Sequence, residues 1–218
     1  MVKSPDFTTL QNSTCLNLKS YIKKMNGKQE ILRKMFHIVF GILILLGFSY
    51  LEWAIFIRIL FVLFLFVILW TLVNIKYKCP LISFFTKDHE EKFPLKGLIF
   101  FIVGSALVMY IFSKDLALAS IAILTFGDSV SSLASYFGIK YKINPFRRYK
   151  SLFGTFAGMV VAFFFALIFI DPLSAAVGSF FGMMSECVAI KLGETDADDN
   201  LIVPLVGATA MYLLAKVL

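Results

Sequence analysis

Two carboxylates lie inside apolar stretches of this chain, where charged residues are rare. Asp128 occurs in LTFGDSVSSLASYFG (124–138), and Glu186 occurs in a later apolar stretch. A carboxylate within a membrane span costs about 3 kcal/mol on insertion scales, so it normally faces the bundle interior or a wet cavity. Two such groups could ligate a divalent cation or take a proton from a hydroxyl group. The structural alternative is an interhelical hydrogen bond or a position at the membrane boundary.

Small residues accompany both carboxylates. Asp128 follows a glycine and precedes several serines, which makes that side of its helix polar and narrow, as the wall of a cavity would be. Small residues that recur every four positions share one helix face and let helices approach closely. Glu186 should therefore point at another helix, because it ends such a stripe: Ser174, Gly178, Gly182 and Glu186.

Basic residues stand at the start of the first apolar stretch, in ILRKMFHIVFG. Arg33 and His37 are four residues apart and share a helix face, and Lys34 follows Arg33. This polar cluster is predicted to lie at the same membrane face as the two carboxylates. For His37, a snorkelling or capping role at the membrane boundary is the alternative.

A second basic cluster occurs in RRYKSLFGTFAG (147–158). Ser151 is a candidate N-cap for the helix that follows, and the start of a helix offers free N–H groups and a partial positive charge that suit phosphate. The sequence lacks the GxxxxGKS/T pattern of a Walker A loop. Basic residues followed by a GxxxG motif for helix packing are the structural alternative. The candidate phosphate-binding residues are Arg148, Lys150, Ser151, Gly154 and Thr155.

An acidic segment, GETDADDNLIVP (193–204), precedes the last apolar stretch. It lacks the glycine and the terminal glutamate that an EF-hand loop requires. Asp199 or Asn200 is a candidate helix cap, and both are candidate metal ligands. A solvated acidic turn with a cap is the alternative.

A helical membrane bundle must position these residues. Of 218 residues, 59% are hydrophobic and 16% are charged, a balance that a soluble domain of this size would not have. The sequence predicts an all-α polytopic transmembrane bundle with about seven spans. The predicted spans are 36–51, 53–75, 97–113, 116–137, 152–170, 173–190 and 201–217.

The basic residues predict the orientation of the bundle. Lysine and arginine concentrate in the N-terminal segment and in the second and fourth connectors, which the positive-inside rule assigns to the cytoplasm. The N-terminus is then cytoplasmic, and both buried carboxylates lie toward that face. The predicted parts are a basic N-terminal segment, 1–35, partly an interfacial helix, and a transmembrane catalytic domain, 36–218.

Charge and cysteine content disfavour other partners. The net charge of +7 does not indicate nucleic acid, because the basic residues flank apolar stretches. Cys15, Cys79 and Cys187 are scattered and predict neither a disulfide framework nor a zinc site. The lipid bilayer and a phosphate-bearing ligand are the expected partners, and the glycine stripes allow a homo-oligomer.

Basic groups, helix N-termini and carboxylates are thus predicted at one cytoplasm-facing cavity. Arginine and lysine suit phosphates, and aspartate and glutamate suit Mg²⁺ or proton abstraction. This is the equipment for phosphoryl transfer from a nucleotide, where positioning and charge neutralisation dominate catalysis. The surrounding bilayer would deliver an amphipathic substrate.

Six short motifs follow one another along the chain: RKMFH (33–37), SKD (113–115), GDSVSS (127–132), KSLFGTFAG (150–158), SE (185–186) and DDNLIVP (198–204). In this order they resemble the motifs of the CTP-dependent lipid kinases, the group of dolichol kinase, CTP-dependent diacylglycerol kinase and phytol kinase. The resemblance extends over about residues 31–210, which is nearly the whole chain. One departure is Ser131, where the family commonly has alanine.

The resemblance implies CTP as phosphate donor, a divalent cation such as Mg²⁺, and a membrane lipid alcohol as acceptor. It implies that Asp128 is a metal ligand or catalytic carboxylate, clustered with Glu186 and Asp199. The protein would lie in the cell membrane of a prokaryote or in the endoplasmic reticulum membrane of a eukaryote. The residues implied at the nucleotide phosphates are Lys150, Ser151 and Gly154; Arg33, Lys34 and His37 would hold phosphate or the acceptor headgroup.

Two rival functions are weighed against a lipid kinase. A cytidylyltransferase would transfer a nucleotidyl group to a lipid phosphate, but the KRxxxxKD run and HGGxxDR segment of those enzymes are absent from the sequence. An ion-coupled or proton-coupled lipid transporter would also bury carboxylates. The two halves of such a transporter would show internal symmetry, and the two halves of this sequence show none.

Overall fold

The computed structural model describes residues 27–77, 95–137, 151–187, 191–192, 195–196 and 198–217. Within those residues the chain forms seven helices and one pair of two-residue strands. The elements are α1 Gly27–Tyr50, α2 Trp53–Tyr77, α3 Lys96–Ile111, α4 Lys114–Phe137, α5 Leu152–Ala166, α6 Pro172–Cys187, β1 Lys191–Leu192, β2 Thr195–Asp196 and α7 Asp199–Val217. The strands pair antiparallel, with Lys191 opposite Asp196.

Four of the helices are long and apolar enough to cross a membrane: Ile31–Tyr50 in α1, Trp53–Val73 in α2, α4 and α7. The other three, α3, α5 and α6, have only 15 or 16 residues each. The predicted helical class is therefore confirmed, and each helix overlaps one predicted span, although α1 begins at Gly27, nine residues before the span predicted for it. A bundle of seven spans and a cytoplasmic N-terminus stay predictions.

Helix α4 is the centre of the bundle. In the most apolar 18-residue stretch of this helix 78% of the residues are buried, whereas the corresponding stretches of the other three long helices bury 22–28% of theirs. Helices α1, α5, α6 and α7 all pack against α4. Its first half is lined by alanines and branched aliphatic residues that are fully buried, among them Ala117, Ile121 and Leu124. A side chain on this helix, such as Asp128, therefore faces other helices rather than lipid.

Helix α4 changes its winding in the middle. Residues Ile123–Asp128 form a π-helical segment between two α-helical halves. A π-segment accommodates one extra residue per turn, so it shifts the helix face that the following residues present, and such segments occur often at functional sites. Phe126 in this segment stacks on Phe165 of α5, with ring centroids 3.6 Å apart. The sequence prediction of a plain helix missed this segment, which ends at Asp128.

Close helix contacts explain the glycine motifs. A Cβ added to Gly158 would lie 2.6 Å from the carbonyl oxygen of Gly127 and 2.7 Å from Cβ of Ser131, so α5 can approach α4 only with glycine at this position. A Cβ on Gly178 would lie 2.6 Å from Sδ of Met211 in α7. The stripe predicted to end at Glu186 is confirmed as a buried face: Ser174, Gly178, Gly182 and Glu186.

Side-chain caps fix where three helices begin. Ser151 accepts a hydrogen bond from the backbone N–H of Gly154 at 2.9 Å, which confirms it as the N-cap of α5. Asp171 accepts hydrogen bonds from two backbone N–H groups at the start of α6. The prediction that Asp199 or Asn200 caps α7 is wrong. Oδ1 of Asp198 accepts from the backbone N–H of Asn200 at 3.1 Å, so the cap lies one residue earlier.

Candidate metal and phosphate site

Three carboxylates from three helices meet at one end of the bundle. Asp128 of α4, Glu186 of α6 and Asp199 of α7 each offer an oxygen, and these oxygens all lie within 4.8 Å of one another. Asp128 and Glu186 are buried, and Asp199 is half-buried. Oxygens that share one cation at roughly 2.0–2.6 Å lie at most about 4–5 Å apart. Both the spacing and the hard oxygen donors fit Mg²⁺ or a similar divalent cation.

Lys34 of α1 forms an ion pair with Asp128. Its Nζ donates to Oδ2 of Asp128 and also lies 3.4 Å from the backbone carbonyl oxygen of the same residue. The two side chains are 6% and 5% exposed, so the pair is buried. A buried carboxylate needs such a partner, because an uncompensated charge away from water is strongly destabilising.

His37 approaches the same carboxylate one turn further along α1. Its Nε2 lies 3.8 Å from Oδ2 of Asp128, and Nε2 has no hydrogen-bond partner among the described residues. The imidazole ring makes an edge-to-face contact with Phe101, whose ring centroid is 4.6 Å away, and it lies near the backbone of Leu124. The ring is thus fixed with one nitrogen directed toward the site.

Hydroxyl groups link the carboxylates to the start of α5. The Ser131 hydroxyl donates to Oε1 of Glu186 at 3.3 Å. One turn later, Oγ of Ser135 accepts from both the backbone N–H and the hydroxyl of Ser151, at 3.0 and 3.2 Å. These contacts fix the N-terminus of α5 against the second half of α4, the helix that carries Asp128.

The first turn of α5 already satisfies part of its own hydrogen-bonding capacity. The backbone N–H of Gly154 donates to the Ser151 hydroxyl, and that of Thr155 donates to the Ser151 carbonyl at 3.0 Å. The Thr155 hydroxyl accepts from the thiol of Cys187, which is adjacent to Glu186. Gly154 also packs against Ser135, so it serves helix packing.

Asn200 fixes the start of α7 against α3. Its Nδ2 donates to the carbonyl oxygen of Gly97 at 2.9 Å, while its Oδ1 is buried and accepts no hydrogen bond from the described residues. Pro204 has no N–H group to donate to the Asn200 carbonyl, and α3 approaches that carbonyl oxygen closely at Gly104. The contact of the Asn200 amide with Gly97 therefore holds the side-chain oxygen, Oδ1, in place next to Asp199.

The structure brings together Lys34, His37, Asp128, Glu186 and Asp199. Arg33 is half-buried beside Lys34 on α1. The other two predicted basic residues, Arg148 and Lys150, lie outside the described residues. The SKD motif lies at the opposite end of the bundle, where Nζ of Lys114 donates to the carbonyl oxygen of Ser49 at 3.0 Å.

Some contributors to the site had no usable signal in the sequence. The pairing of Lys34 with Asp128 joins residues 94 positions apart. The thiol of Cys187, a free cysteine, donates to the Thr155 hydroxyl, and no sequence pattern predicted this contact.

Comparisons with known proteins give two similarities. An uncharacterised protein of Methanocaldococcus jannaschii is 28% identical over 183 residues, which cover 83% of this chain and 91% of that protein. CTP-dependent diacylglycerol kinase 1 of Schizosaccharomyces pombe is 25% identical over 143 residues, which cover 58% of this chain and 63% of that enzyme. No family model matches the chain, and no solved structure matches it.

Proposed function

We propose that this chain is a CTP-dependent kinase that phosphorylates the hydroxyl group of a membrane lipid alcohol, of the dolichol, polyprenol or diacylglycerol type, at the cytoplasmic face. The observation that carries the proposal is the meeting of three carboxylates with Lys34 and His37 at one end of a bundle of apolar helices. The distant similarity to a CTP-dependent diacylglycerol kinase supports the donor and the class of acceptor.

The carboxylates would hold the cation, with the amide oxygen of Asn200 as a further ligand. Mg²⁺, when bound, neutralises charge on the phosphates of the nucleotide and helps to align them. The ligand set for this role is Asp128, Glu186, Asp199 and Asn200.

Basic side chains would hold the phosphates. Lys34, Arg33 and His37 approach from α1, and the start of α5 contributes Ser151 together with the partial positive charge of a helix N-terminus. Arg148 and Lys150 precede that helix in sequence and would add full charges.

In the transfer step, the acceptor oxygen forms a bond to the γ-phosphorus of CTP. The bond between that phosphorus and the oxygen bridging to the β-phosphate breaks, and CDP leaves. The proton of the acceptor hydroxyl passes to a carboxylate oxygen of Asp128 or Glu186. Because these carboxylates are buried, little water competes with the lipid hydroxyl as the attacking group.

The outer helices suit a lipid acceptor. Helices α1 and α2 expose large apolar side chains along their outer faces, such as Leu43 and Phe61, each 60% exposed. A lipid alcohol could lie along these faces with its hydroxyl group at the level of the carboxylates, so it need not leave the bilayer.

The test uses purified protein in detergent with Mg²⁺ and CTP labelled at the γ-phosphate. The acceptors are dolichol, a polyprenol, phytol and diacylglycerol, tested one at a time. We expect labelled lipid phosphate from CTP and little from ATP labelled in the same position. No labelled lipid with any acceptor would refute the kinase. Transfer of label from the α-phosphate of CTP to a lipid phosphate would instead support nucleotidyl transfer.

A pair of variants in one helix locates the reaction. Asp128→Asn should abolish turnover, whereas Asp115→Asn makes the same change in the exposed first turn of α4, far from the cluster, and should leave turnover intact. Normal turnover of Asp128→Asn would remove this carboxylate from the site.

A further inference from the structure

Lys34 forms an ion pair with Asp128, one of the carboxylates that a cation would need as a ligand. Its ammonium group contacts two oxygens of the same residue, the Oδ2 and the backbone carbonyl of Asp128. The side chain is only 6% exposed, so it is held in the protein rather than sampling solvent. Asp128 also belongs to the carboxylate cluster, in which one oxygen each of Asp128, Glu186 and Asp199 lie within 4.8 Å of one another.

This arrangement makes the cluster stable before any ligand binds. Three carboxylates this close repel one another, and the repulsion is strong where water is scarce. One ammonium placed on Asp128 reduces the net negative charge of the cluster. The same ammonium also weakens the binding of a divalent cation to the cluster, because two positive charges next to one carboxylate repel each other.

We propose that Lys34 is an internal counter-ion that keeps the carboxylate cluster from binding a divalent cation alone, and that it transfers from Asp128 to the phosphates of the nucleotide when cation and nucleotide arrive together. The proposal rests on the proposed function. The phosphates bring the negative charge that the ammonium needs once it leaves Asp128. A lysine can make this change by rotating its flexible four-carbon stem, with its helix in place.

The transfer has a consequence for the order of binding. A cation without nucleotide meets an occupied carboxylate and binds weakly. A cation that arrives with the nucleotide supplies, in one event, both a replacement for the ammonium on Asp128 and new partners for Lys34. The cluster is thus selective for the complex of cation and nucleotide.

The test measures Mn²⁺ binding to the purified full chain in detergent, without nucleotide, from the free Mn²⁺ signal in electron paramagnetic resonance. Lys34→Met removes the charge and keeps most of the side-chain volume. We expect it to bind Mn²⁺ at least about tenfold more tightly than the unchanged protein, the lower end of the effect of one neighbouring charge. Lys34→Arg keeps the charge and should bind Mn²⁺ as weakly as the unchanged protein.

A lysine at the opposite end of the bundle provides the matched control. Lys114→Met should leave Mn²⁺ affinity unchanged, since Lys114 contacts Ser49 and not the cluster. Binding of labelled CTP in the presence of Mg²⁺ supplies a second readout, in which Lys34→Met should bind more weakly than Lys114→Met. If Lys34→Met does not fold, Lys34→Gln replaces it, because it also removes the charge.

The proposal would be overturned if Lys34→Met bound Mn²⁺ no more tightly than the unchanged protein does. The ammonium and the cation would then not compete for Asp128. Tight Mn²⁺ binding by the unchanged protein would overturn it as well. Both results are independent of whether the unchanged protein phosphorylates lipids, so failure of this inference and failure of the proposed kinase can be told apart.

Discussion

The Ser131 hydroxyl of α4 donates a hydrogen bond to Oε1 of Glu186 in α6 across 3.3 Å, with both side chains buried. This contact orients the carboxylate of Glu186, whose negative charge would otherwise be unfavourable in apolar surroundings. It also joins the helix that carries Asp128 to the helix that carries Glu186. Position 131 is thus a positioning residue for the carboxylate cluster.

Replacing Ser131 with alanine should weaken that orientation. Hydrogen bonds to charged groups contribute about 1.5–3 kcal/mol, so we expect Ser131→Ala to lower kcat about tenfold or more while KM for CTP changes less. Ser132→Ala, one position along the same helix and only half-buried, is the matched control. Equal kcat values for both variants would show that the hydroxyl does not position Glu186.

The buried ion pair predicts a double-variant effect on stability. Asp128→Asn leaves the ammonium of Lys34 buried beside a neutral amide, which should lower the free energy of unfolding by about 3 kcal/mol. Adding Lys34→Met removes that ammonium and should recover much of the loss, although turnover stays absent. Thermal unfolding of the two single variants and the double variant measures the coupling. Additive losses would mean that the two groups do not interact.

Helix packing predicts a steric effect at Gly158. Any side chain there meets the carbonyl of Gly127 and Cβ of Ser131, so Gly158→Leu should force α5 away from α4. We expect loss of the folded bundle or a large fall in thermal stability, with turnover lost in parallel. Phe156→Leu changes a residue on the exposed face of the same helix, 64% exposed, and should have little effect. Tolerance of leucine at position 158 would contradict the observed helix approach.

The cap of α6 predicts a pH effect on stability. Hydrogen bonds from the Ser174 hydroxyl and then from its backbone N–H lower the pKa of Asp171 below its ordinary value of 3.8. Because the folded-state pKa is the lower one, this stabilisation is present above pH 3.8 and is lost as the pH falls through the folded-state value. Asp171→Asn should therefore lower Tm near neutral pH, and the difference from the unchanged protein should narrow in acid. A difference that does not change with pH would rule out the charged cap.

The sequence predicted the helices well because its strongest signals are local. Long apolar runs, the four-residue stripe ending at Glu186, and the cap at Ser151 each depend on neighbours within a few turns. The wrong cap at α7 shows the limit of such signals. Three consecutive polar residues, Asp198, Asp199 and Asn200, can all cap a helix, and only the backbone decides which one does.

The sequence by itself determined that the chain forms apolar helices and that two of them carry a carboxylate, Asp128 and Glu186. Apolar periodicity and the rarity of buried charge are properties of composition and order, so they can be read along the chain. The tertiary structure alone decided the pairing of Lys34 with Asp128, the meeting of three carboxylates within 4.8 Å, and the π-segment of α4 that ends at Asp128. These features depend on how helices far apart in sequence rotate and pack against one another. That rotation is set by the fit of small residues such as Gly158 against the backbone of α4, and no local pattern specifies it.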